Sequence, residues 1–76
     1  MPLYGFVEGD TMGVVVLAHP EATGHELAEK LLSATSVRVP RRDRFKVLFE
    51  GRVLDPVATL RTQGVGPLSR VSLQWD

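Results

Sequence analysis

His19 and His25 come first, because histidine serves as general base and as metal ligand. They stand six residues apart. Two ligands on one helical face need a spacing of four, so the pair lacks metal-site spacing. His19 precedes Pro20 in a turn and His25 opens a helical pattern, so both read as solvated polar residues. The carboxylates of this half are Glu8, Asp10, Glu21, Glu26 and Glu29. Glu26 follows Thr23 at the spacing of a capping box, where hydroxyl and carboxylate each accept a backbone N–H at the helix start. That use competes with acid–base chemistry. No serine or threonine has an evident base and orienting partner. The chain has no cysteine, which excludes disulfides, thiolate zinc sites and cysteine nucleophiles. Gly64-Val65-Gly66 is too short to cradle a phosphate, and Pro67 removes an N–H such a loop needs. The expectation is no catalytic residue, no cofactor-binding residue and no metal ligand.

The remaining chemistry is charge. Arg38, Arg41, Arg42, Arg44, Lys46 and Arg52 cluster in the second half, and arginines in a loop can neutralise phosphates. No exposed aromatics alternate with them as single-strand binding would favour, and the net charge is zero. A solvated loop, or a contact to an acidic protein surface, fits better than nucleic acid. Residues 1–37 hold one lysine against five carboxylates (−4), and residues 38–76 hold eight cations against four carboxylates (+4). That asymmetry suits a protein with charged neighbours on two sides.

The elements that must carry these residues are legible from period and punctuation. Seventy-six residues make one domain, 1–76, with a modest core. No apolar run reaches a membrane span and no secretory signal pattern opens the chain, so a soluble cytoplasmic protein is expected. Leu3–Val7 reads as a strand, Glu8-Gly9-Asp10 as its turn, and Met12–Ala18 as a second strand rich in β-branched residues. After the Thr23 cap, Leu27, Leu31 and Ala34 recur at helical spacing beside Ala28 and Leu32. Residues 36–44 are a basic loop. Phe45–Phe49 is a strand, Glu50-Gly51 a turn, Arg52–Leu54 a short strand, 55–69 an irregular section, and Val71, Leu73 and Trp75 alternate in a last strand. The order predicts an α+β fold: a mixed sheet of four to five strands covered on one face by one helix.

Two gapless stretches, Tyr4–Leu31 and Lys46–Asp76, resemble ubiquitin. Val47, Phe49, Gly51, Leu54, Thr59, Leu60, Val65, Ser69 and Val71 fall where ubiquitin-like domains place matching residues. The resemblance implies a ubiquitin-like β-grasp and specifies fold better than function. Ubiquitin's recognition patch maps to Leu48, Ser72 and Gln74, of which only Leu48 is apolar. Ubiquitin-type modifiers end in a tail carrying Gly-Gly, whereas this sequence ends at Gln74-Trp75-Asp76 inside the last strand, so conjugation chemistry is not expected unless a longer precursor exists. Within the family, Phe6–Asp10, Glu26–Lys30, Val37–Pro40 and Gly64–Leu68 resemble the small B (gamma) subunit of bacterial toluene monooxygenases. That resemblance implies a non-catalytic subunit in aromatic hydrocarbon catabolism. It would bind the large subunit of a diiron hydroxylase as part of a hetero-oligomer and supply no metal ligand. A free-standing ubiquitin-like adaptor or modifier relative is the alternative.

Strand alternation then locates the interface. With Tyr4, Phe6, Val14, Val16, Ala18, Val47, Val71 and Leu73 facing the helix, Leu3, Val7, Val15, Leu17 and Leu48 face outward. A sheet with one helix should be polar there, so five aliphatics predict a partner-binding patch. Arg38, Arg41 and Arg42 are expected to assist from the basic loop.

Overall fold

The computed structural model describes the whole chain, residues 1–76. Five strands and one helix form: β1 (Pro2–Val7), β2 (Val14–Leu17), α1 (Gly24–Ala34), β3 (Phe45–Phe49), β4 (Arg52–Val53) and β5 (Arg70–Trp75). They make one mixed sheet in the order β2-β1-β5-β3-β4, with β1 and β5 parallel and every other neighbour antiparallel. The first and last strands therefore pair at the centre, and the helix crosses one face.

The helix starts as its residues dictate. Thr23 Oγ1 accepts the Glu26 N–H at 3.2 Å, and Glu26 Oε1 accepts the Thr23 N–H at 3.2 Å, a complete capping box. The next N–H groups are satisfied from the irregular section: Gly24 donates to the Ala58 carbonyl and His25 to that of Pro56. Gly24 packs so close that a Cβ there would lie 2.6 Å from the Asp55 carbonyl oxygen. Gln63 ties the section together, donating to the Asp55 and Ala58 carbonyls and accepting the Asp55 N–H. At the other end the buried Thr35 hydroxyl donates to the Leu31 carbonyl at 3.0 Å.

Leu27, Ala28, Leu31 and Leu32 are the buried stripe of α1. They meet Leu3, Val7 and Val16 from the hairpin, Val47 and Phe49 from β3, and Val71 and Leu73 from β5 in one core that Leu54, Leu60 and Val65 complete. Each such leucine is worth roughly 1.5–3 kcal/mol when fully buried. Gly5 lies under the helix, where a Cβ would overlap Leu31 Cδ2. Glycine there lets the Leu31 side chain lie directly on the strand.

The core includes two residues expected outside it. Leu3 and Val7 are 0% and 2% exposed, whereas Tyr4 and Phe6 are 43% and 37% exposed. The cause is the register. Leu3 pairs with Val16 and Tyr4 with Val15, so odd residues of β1 share a face with even residues of β2. The sequence reading placed even residues of both strands together. It began β2 at Met12, but Thr11, Met12 and Gly13 belong to the hairpin loop, and a register changed by one residue inverts a strand's faces.

Candidate partner-binding face

The outer sheet face is built from cross-strand rows. Val15, Tyr4 and Arg70 form one row, and Phe6, Ser72 and Leu48 form the next, while Leu17 pairs with Pro2 beside them. Val15 and Leu17 are 62% and 68% exposed, as alternation predicts for β2. Leu48 faces the same way but is half-buried, and Ser72 separates it from Phe6. The exposed apolar surface is therefore mainly Tyr4, Phe6, Val15 and Leu17 on β1 and the edge strand β2, with Val53, paired with Leu48 on β4, at the opposite edge. Leu3 and Val7 leave the predicted face, and two aromatic rings replace them. Alternation gave the signal for this, but it needed the hairpin register to assign it.

Phe6 has two close neighbours. Its ring lies against Gly13, where a Cβ would come within 2.7 Å of it, and the Arg70 guanidinium lies over it at 5.0 Å from the ring centroid. That distance is within cation–π range. Lys46 and Arg70 are the charged residues at outward strand positions, with Gln74 and Ser72 beside them.

The basic loop is tied down elsewhere. Arg38 donates from Nε and Nη2 to the Asp10 carboxylate at 2.9–3.2 Å, closing the loop onto the β1–β2 hairpin. Arg41 donates through both Nη atoms to Glu29 of α1 at 2.8–2.9 Å, on the helix side of the sheet. Hydrogen bonds from these guanidinium groups hold both carboxyls below their ordinary range, and the carboxylates in turn raise both arginines. Arg42 lies over the Trp75 ring at 5.9 Å. The Trp75 indole N–H donates to the Glu8 carbonyl, and Phe45 meets the indole edge-on. Two of the three expected interface arginines thus already have carboxylate partners within the chain. Sequence alone did not show this, because the pairs span 28 and 12 residues.

The histidines stay apart from one another in role. His19 Nδ1 accepts the Glu21 N–H, and His25 Nε2 lies 3.8 Å from Glu29. No three His, Cys, Asp or Glu side chains gather closely enough to hold a metal ion. No helix is long and apolar enough to cross a membrane.

No protein-family model matches the sequence, and no curated protein matches it. Solved structures do. Caldiarchaeum subterraneum ubiquitin superposes with a TM-score of 0.82 at 19% identity, over 100% of this chain and 92% of that one. The fold is ubiquitin-like. A design based on ubiquitin matches the ubiquitin-like chain at a TM-score of 0.82 and 25% identity, covering 99% and 87%. A chain in the toluene 4-monooxygenase HD complex with the inhibitor 4-bromobenzoate matches at 0.90 and 18% identity, covering 99% of this chain and 96% of that one. On this ubiquitin-like frame most of the exposed apolar surface lies on the β1–β2 half of the sheet, while Ser72 and Gln74 keep β5 positions polar.

Proposed function

We propose that this ubiquitin-like chain is a non-catalytic small subunit of a multicomponent diiron monooxygenase hydroxylase. It docks on a larger subunit through the outer face of its sheet. The likeness to a chain of the toluene 4-monooxygenase complex, over nearly the full length of both, carries the reading. The exposed Tyr4, Phe6, Val15 and Leu17 support it, since contiguous apolar surface of this kind marks an interaction site. The diiron centre and the substrate belong to the larger partner in this reading. Of the three expected interface arginines, Arg42 is the one without a carboxylate partner in the chain and is free to assist.

Co-expression with the large subunit of a bacterial toluene monooxygenase hydroxylase tests the reading. The expected result is co-purification in a fixed ratio through size exclusion. A wild-type chain that elutes as a free monomer beside the large subunit overturns it. The likeness to an archaeal ubiquitin favours a second reading, a free-standing ubiquitin-like adaptor. A coding sequence running past Asp76 to Gly-Gly would point that way.

A further inference from the structure

We propose that Arg70, stacked on Phe6 beside Tyr4, is the polar anchor of the outer face and receives a carboxylate from the partner protein's surface. The inference rests on the docking reading above and names the chemistry of the partner.

Arg70 opens β5 and lies directly beside Tyr4 across the parallel pairing. Its guanidinium lies over the Phe6 ring, and Gly13 also packs against that ring. Three of the other arginines are paired at short range, Arg38 with Asp10, Arg41 with Glu29 and Arg61 with Glu21, and the unpaired Arg42, Arg44 and Arg52 lie off the outward-facing rows that hold Tyr4 and Phe6. Arg70 has no such pair, and no strand position on its face carries a carboxylate. The chain therefore presents an arginine without its counter-charge among exposed apolar side chains.

The physics of burial selects what covers it. The Arg70 guanidinium lies over the ring at 5.0 Å and donates none of its N–H groups within the chain, so the planar fork is available to a carboxylate through two parallel hydrogen bonds. An apolar partner surface laid over Tyr4, Phe6 and Val15 excludes water and strengthens that pair. The same surface with no anion would bury an unpaired charge, which is strongly unfavourable. Arg70 thus discriminates as well as attracts. The matching surface is apolar around one Asp or Glu, and phosphate-rich polymers do not complement the surrounding rings and aliphatics.

The test titrates full-length chains against the hydroxylase large subunit at rising salt, with a thermal melt for each variant. Arg70→Ala is expected to weaken binding about tenfold or more with its melting midpoint unchanged, and to flatten the salt dependence. Arg70→Lys should restore only part of the affinity, because it keeps the charge without the fork. Arg70→Glu should abolish binding. Val15→Asp serves as the control for the face itself. If Val15→Asp fails to bind while Arg70→Ala binds as wild type, the docking face stands and the anchor is overturned. A loss in Arg70→Ala with unchanged salt dependence assigns the arginine to packing on Phe6 and overturns the carboxylate pair. Val15→Asp binding as wild type, or a wild type that does not bind, overturns the face and the anchor together. Binding of a short DNA or RNA duplex that Arg70→Ala removes also overturns it.

Discussion

Glu50 and Leu68 hold φ angles of +52° and +65°, a region that glycine and asparagine enter far more readily. For Glu50 the reason is the turn. Phe49 pairs with Arg52, so Glu50 and Gly51 form a two-residue hairpin loop with positive φ at both positions, as a type I′ turn requires. Leu68 donates its N–H to the Pro2 carbonyl at 2.7 Å at the entry to β5, and its side chain is 59% exposed. Neither side chain is needed to hold its backbone in place. Glu50→Asn and Leu68→Gly are each expected to raise stability by about 0.5–1 kcal/mol, seen as a higher urea midpoint at unchanged slope. A lower midpoint in either variant would assign that side chain a structural role. The Glu50-Gly51 turn was legible in the sequence because glycine marks it. The positive φ at Leu68 was not, since nothing local signals it.

The loop between α1 and β3 behaves as a strap whose fastenings belong to other elements. Arg38 reaches the hairpin, Arg41 reaches the helix, and the Arg44 carbonyl accepts the Asp76 N–H. Asp10 and Glu29 have lowered pKa values, caused first by the hydrogen bond from the paired arginine. A carboxylate depressed by folding contributes stability that is fully present above its unfolded value, about 4, and is lost as pH falls through its folded value. The strap should therefore hold at neutral pH and loosen below about pH 4. Trp75, the one tryptophan, lies under Arg42 and reports it by fluorescence. Asp10→Asn should lower stability at neutral pH and flatten the acid-induced fall. An unchanged acid profile in Asp10→Asn would remove Asp10 from that role. The sequence showed a basic loop but not its partners, because an ion pair across 28 residues leaves no local pattern. The capping box of α1, whose partners stand three residues apart, was fully legible for the opposite reason.

Across the whole molecule, the sheet separates a helix-covered face from an open one, and the two faces answer differently to the same change. Leu3→Ala should cost about 2–5 kcal/mol, because it empties a site that is 0% exposed. Val15→Asp, at 62% exposure, should leave the melting midpoint almost unchanged and abolish assembly with the large subunit. Circular dichroism melts beside co-purification separate the two effects, and a Leu3→Ala chain as stable as wild type would refute the register described for β1. By itself the sequence determined the order of elements, the helix and its cap, the single covered face and the β2, β3 and β5 alternation. Those follow from periodicities and hydrogen bonds that act within a few residues. Only the tertiary structure decided which face of β1 meets the core, where the arginines go and that Arg70 lies on Phe6. Each of these depends on strand register or on contacts between distant segments, and one residue more or less in a hairpin loop exchanges Leu3 for Tyr4.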